Sequence, residues 1–204
     1  MQNRYCQMTC SLILAALTAG TAAGVVAGSV PAKKLHEPEA LFDFNDRPLP
    51  AERLIVDALA QYRASNDLLG LANGYRVYAL FFRSRSLTRP DYQQHYSQKG
   101  FVDPAAMWAN RYATSIDYLR KAEAIRKITD HFDLLSNVYL HIADDFLLMH
   151  DLDNACKAFD QSWDANAEFS RRHPATAVRL PAGSKSFDDT IAAAKKSIDC
   201  TATH

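Results

Sequence analysis

Residues 137–165 read NVYLHIADDFLLMHDLDNACKAFDQSWDA, two helical stretches either side of His150-Asp151 in which bulky and small residues alternate. Tyr139, Ile142, Ala143 and Phe146 share one stripe of the first stretch, and Ala155, Phe159 and Ser162 share one stripe of the second. Small Ala143 and Ala155 let the two helices approach closely, while Tyr139, Phe146 and Phe159 fill the spaces between them. The window therefore specifies an antiparallel helical hairpin. A lone hairpin buries too little to be stable, so other helices must stack against it.

The rest of the chain supplies those neighbours. Seven Gly and eight Pro in 204 residues are too few for a chain that turns every ten positions, and long helices follow. After Pro50, Leu54, Ile55, Ala58, Leu59 and Tyr62 form a helical stripe that stops at Ser65-Asn66. Asp67 caps a second helix, through Leu71, Ala72, Tyr75, Tyr78 and Ala79 to about Arg83. Pro104 opens a third, with Met107, Trp108, Tyr112, Ile116, Leu119, Ala122, Ile125 and Ile128 on its stripe, ending near Asp130. A fourth spans about 132–150, a fifth runs from Asp151 or Leu152 to about Arg171, and Ser186 caps a last one bearing Phe187, Ile191, Ala194 and Ile198. Pro174 and Pro181-Ala-Gly183 separate the last two. No strand is required.

Two segments depart from this pattern. Residues 31–50 hold four of the eight prolines and read as a linker laying Leu41, Phe42 and Phe44 onto the first helices. Residues 84–103 have no sustained period and read as an irregular insertion. It is either pinned by Tyr92, Tyr96 and Phe101 or free to act as a flap beside a binding surface.

Up to Val30 the only formally charged side chain is Arg4. Ser11 to Gly28 is an uncharged run behind that short basic start, the layout of a secretory leader. Cleavage near Gly20 or after Ser29 yields an exported protein. The rival is an uncleaved anchor, for which eighteen apolar residues are barely long enough, with Gly20, Gly24 and Gly28 on one face as a contact stripe. A leader of this kind points to a bacterial envelope, with a periplasmic or secreted product if cut and an inner-membrane product if kept. Removing it takes away Cys6 and Cys10 and leaves Cys156 and Cys200, which in an oxidising compartment either pair or stay as two separate thiols. Pairing is the expectation. It would staple the last helix to the body, contributing about 4 kcal/mol by loop-closure arithmetic before strain.

The signature set Tyr139, Ile142, Ala143, Phe146, Ala155, Phe159 and Ser162 resembles the tetratricopeptide-repeat family, with one convincing unit at about 136–169. Residues 122–130 look like the second helix of an earlier unit. The first hairpin is a looser match: Asn66-Asp67 aligns with His150-Asp151 and Tyr62 with Phe146, but Leu71 and Tyr78 stand where the family has small residues. The resemblance covers about 51–83 and 105–170. It implies an all-α fold of antiparallel hairpins over 51–200, stacked as a short solenoid with the last helix as its cap. It also implies a concave surface for peptides or proteins on the first helix of each pair. Those positions fall on Asn137, Leu140, Asp144 and Leu147 in the convincing unit, and in the looser one on a set including Arg53 and Arg63.

Other chemistry is weakly signalled. His141 and Asp145 lie four apart, with Asp144 between them, so a metal-dependent or acid–base hydrolase is the alternative. Two such ligands do not complete a tetrahedral site, and a solvated face is the simpler reading. No phosphate loop, nucleophile elbow or exported Cys-x-x-Cys appears, so no catalytic residue, metal or cofactor is assigned. Arg120, Lys121, Arg126 and Lys127, with Glu123 and Asp130, read as an outer solvated face. Lys+Arg and Asp+Glu are both 23, leaving no basic excess for nucleic acid. The expectation is an exported adaptor or assembly factor that binds another polypeptide, touching membrane only through an uncleaved leader. A membrane-anchored structural envelope protein is the other alternative.

Overall fold

The computed structural model describes residues 31–174 and 186–200, with side chains from Leu35 onward. The leader, its glycine stripe, Cys6 and Cys10, and the Pro181-Ala-Gly183 break lie outside the described residues. The fold is an all-α stack of eight helices with no strand among the described residues: α1 (Pro31–Asp43), α2 (Pro48–Ala64), α3 (Leu68–Phe82), α4 (Pro90–Lys99), α5 (Arg111–Ile128), α6 (Phe132–Leu148), α7 (Leu152–Arg172) and α8 (Phe187–Ser197). Neighbours in the chain are mostly neighbours in space, with α6 on α7 and α3 on α5 the most extensive contacts.

Local chemistry sets the helix ends. Asp67, Asp151 and Ser186 cap α3, α7 and α8 by accepting from the amides of Gly70 (2.8 Å), Asn154 (3.2 Å) and Asp189 (2.9 Å). Asn66, Asp130, His150 and Asp199 have φ of 52°, 60°, 59° and 54°, and the residue after each donates to the carbonyl five positions back. These are residue types that tolerate the left-handed region best after glycine. The connections 65–67 and 149–151 therefore share one geometry with those at Asp130 and Asp199.

The C-terminal hairpin packs as its spacing predicts. Ile142, Ala143, Ala155 and Ser162 are wholly buried, Tyr139 and Phe159 nearly so, and Phe146 is partly buried against the same core. Ser162 Oγ donates to the Ser136 carbonyl at 2.8 Å, tying α7 to α6. Cys156 and Cys200 are joined, with an S–S distance of 1.98 Å and Cα atoms 5.7 Å apart. Phe187 and Ile191 are buried beneath α8, and Lys195 pairs with Asp160 of α7.

Three readings of the sequence change. Residues 31–43 are a helix instead of a linker: Leu35, Pro38 and Phe42 lie three and four apart and bury one face against α2 and α3. Pro38 stays inside because its own side chain is buried there, although it surrenders one backbone bond. The insertion at 84–103 is mostly ordered as a 3-10 turn (Arg85–Thr88) and α4. It is pinned as expected by buried Tyr96 and Phe101 and half-buried Tyr92. The third helix begins at Arg111, not Pro104, because polar bonds hold 102–105 apart from it. Glu52 accepts from the Val102 amide (2.7 Å) and Tyr78 Oη (2.9 Å), while Asp103 accepts from Tyr118 Oη (2.8 Å) and the Ala105 amide (3.0 Å).

Candidate functional site

A groove of about 640 Å³ runs between α3 and α6. Its walls are Leu69, Asn73 and Arg76 from α3 and Leu134, Asn137, Val138 and His141 from α6, with Tyr62 at one end and Arg126 of α5 among the lining residues. The close approach of α2 and α3 beside it depends on two glycines. A Cβ at Gly70 would come within 2.4 Å of Cδ1 of Tyr62, and one at Gly74 within 2.7 Å of Cδ2 of Leu59. Gly70 and Gly74 thus supply the smallness that Leu71 and Tyr78 do not.

The electrostatics centre on arginines. Arg76 is held by Glu39 at 2.8 Å and by Asn73 Oδ1 at 3.2 Å. Arg83 donates to Asp144 Oδ2 at 2.9 Å and to His141 Nδ1 at 2.8 Å. A guanidinium only donates, so His141 Nδ1 carries a lone pair and the ring proton sits on Nε2. Burial and the nearby charges of Arg83 and Arg76 also pull His141 below the ordinary imidazole range, and the ring is neutral. Burial raises Asp144, but His141 and Arg83 outweigh it, leaving this carboxyl below its usual value.

Of the expected contact residues, Asn137 lines the groove. Asp144 and Leu147 line a shallower depression beside it, together with Arg83 and Leu148. Leu140 is turned toward the core and partly buried. Arg53 and Arg63 are exposed on α2 and do not line the groove, and the guanidinium of Arg63 lies over the Tyr75 ring. The helix facing α6 is α3, because the 83–110 excursion returns the chain so that α3 pairs with α5. The wall opposite α6 therefore comes from Asn73 and Arg76.

His141, Asp144 and Asp145 do not converge. His141 and Asp144 share Arg83, whereas Asp145 is wholly buried and faces Ser115 Oγ at 2.6 Å. Ser115 Oγ also bonds the Ala79 carbonyl at 2.9 Å, and one hydroxyl proton cannot serve both acceptors. Both contacts are satisfied when Asp145 is protonated and donates to Ser115. Burial, the dominant cause, pushes the Asp145 carboxyl up to about 7. Among the described residues no group of three or more His, Cys, Asp or Glu is placed to hold a metal ion.

The outer solvated face expected on α5 does not include Arg126 or Glu123. Arg126 is 5% exposed. The signal was present: Ser115, Leu119, Ala122 and Arg126 are spaced four, three and four apart, and all four are buried. That stripe, not the one through exposed Met107 and Ile128, is the inner face of α5. Glu123 is buried as well, bonded by Arg120, Lys127 and Tyr139 at 2.6, 2.7 and 2.8 Å.

No protein-family model matches the chain, and no curated protein or solved structure is found to be significantly similar to it. No helix among the described residues is long and apolar enough to cross a membrane.

Proposed function

We propose that this chain is an exported helical-repeat module, similar to the tetratricopeptide repeats, that binds another polypeptide in the groove between α3 and α6 as an adaptor or assembly factor of the bacterial envelope. The observation that carries the reading is the groove itself. It is walled by two helices and mixes apolar side chains with amides and charges, the composition that orients an extended chain while burying its side chains. The joined Cys156–Cys200 pair and the leader-like first thirty residues support an oxidising, extracytoplasmic setting. Binding is favoured over hydrolysis because Asp145 points away from His141 and Asp144, and those two are occupied by Arg83.

A photo-crosslinking residue placed at Asn137 or Asp144 tests the reading in cells. The expected result is a polypeptide adduct at both positions and none from the α2 controls Arg53 and Arg63. The double variant Asp144→Lys with Leu147→Ala is expected to weaken capture with the fold intact. Adducts from the α2 positions alone would move the site. The intact mass of the exported protein reports on the leader, a full-chain mass contradicting cleavage.

A further inference from the structure

We propose that Arg126 makes the groove an anion site and that the partner polypeptide fills it with an aspartate or glutamate side chain from an extended segment. The choice of occupant rests on the polypeptide-binding reading above.

Arg126 is all but buried, yet its guanidinium has no hydrogen-bond or ion-pair partner among the described residues. This group stays charged in proteins, its nitrogens open onto the groove, and a charge largely withdrawn from water without a counter-ion gains from an anion that reaches it there. Asp133 acts on it only at a distance, and Arg76 adds positive potential nearby. His141 brings a further donor, since Nδ1 is taken by Arg83 and the Nε2–H has no acceptor among the described residues. Asp67, the carboxylate in the lining, is engaged with the Gly70 amide. Arg126 and the Nε2–H of His141 thus offer the groove donors that have no acceptor among the described residues.

The remaining surface selects the kind of anion. Arg76 is already paired with Glu39, so Arg126 is the one cation of the lining without an ion pair among the described residues, and a single guanidinium matches a carboxylate better than a phosphate dianion. Tyr62, Leu69, Leu134 and Val138 flank that charge with apolar surface. Leu134, Asn137, His141, Asp144 and Leu148 continue as one stripe of α6 into the depression beside Arg83. At 1.5 Å per residue the stripe is about 21 Å long, room for about six residues of extended chain.

The test uses degenerate hexapeptide libraries, acetylated and amidated to remove terminal charge, with Glu or Gln fixed at the third position and uncharged residues elsewhere. Purified protein is expected to retain the Glu library at least about tenfold over the Gln library. Arg126→Met should bring the Glu library down to the Gln level without lowering the melting temperature, and Arg126→Gln should do the same should the methionine variant fail to fold. Equal retention by the wild-type protein, or a preference surviving both substitutions, would overturn the anion site while leaving polypeptide binding in place. Failure of both libraries, with glutarate raising the wild-type melting temperature but not that of Arg126→Met, would overturn the polypeptide occupant and leave a small-carboxylate site.

Discussion

The two halves of the stack share one continuous core but fill it differently. Around α3, rings do the filling: Tyr78 and Phe82 lie 4.6 Å apart, Tyr78 and Tyr118 4.8 Å, Phe82 and Phe101 5.0 Å, and Tyr96 and Phe101 4.5 Å. Around α7, small residues do it, with Ala143, Ala155, Ala158 and Ser162 buried between the helices and a disulfide closing the end. A ring cluster draws its members from distant segments, here α3, α4, the 101–103 turn and α5, whereas small-to-large interlock joins adjacent helices. The first half is therefore held by long-range contacts and the second by local ones plus a covalent tie.

Truncating a ring should hurt most. Phe82→Ala removes a fully buried side chain at the centre of the cluster and should cost about 3–5 kcal/mol in denaturant unfolding. A loss below about 1 kcal/mol would show that the ring cluster is not what binds the first half together. Cys200→Ser should cost about 2–4 kcal/mol and loosen α8 first, read as faster amide exchange there than in α3. Equal loosening in both halves would erase the distinction between them.

The buried acid between the halves has its own signature. Asp145 ties α6 to Ser115 of α5, and through it to the Ala79 carbonyl of α3. Its carboxyl sits near 7 in the folded protein against 3.8 for the free group, so the folded state binds the proton more tightly. Stability is then full below about pH 4, falls as pH rises through the window from 4 to 7, and levels off above it, the charge costing up to about 4 kcal/mol. Asp145→Asn should flatten this contribution and make the protein more stable than the parent at pH 8. Unchanged pH dependence in the variant would place the titration elsewhere. At the smaller end, Gly70→Ala should cost about 1–3 kcal/mol by forcing the Tyr62 ring aside, with larger residues at Gly70 costing more.

What could be read from the sequence follows the same division. The α6–α7 hairpin, its caps and the Cys156–Cys200 pair were legible because their determinants lie within a few turns of one another or, for the cysteines, because the chain after residue 30 holds just one pair. Helix α1 was obscured by its prolines, although Leu35, Pro38 and Phe42 carried the spacing of a buried face. Helix α4 buries only Tyr96, so periodicity had nothing to report, yet Pro90 at its start and Gly100 at its end, with φ of 76°, were the punctuation to look for. The groove was half legible. Asn137 follows from the resemblance-based spacing of α6, but Arg76 and Arg126 are brought to it by the 83–110 excursion, a tertiary event, and charge marks a residue as solvated even where its spacing puts it on a buried stripe.

The central proposal is that the groove between α3 and α6 takes an extended acidic segment of a partner polypeptide. Amide chemical shifts of nitrogen-labelled protein, titrated with hexapeptides from the Glu-fixed library, test it most directly. The account predicts shifts at Asn73, Arg76, Arg126, Asn137 and His141 with Arg53 and Arg63 unmoved, whereas shifts confined to the outer surface of α2 or to α7 and α8 would contradict it.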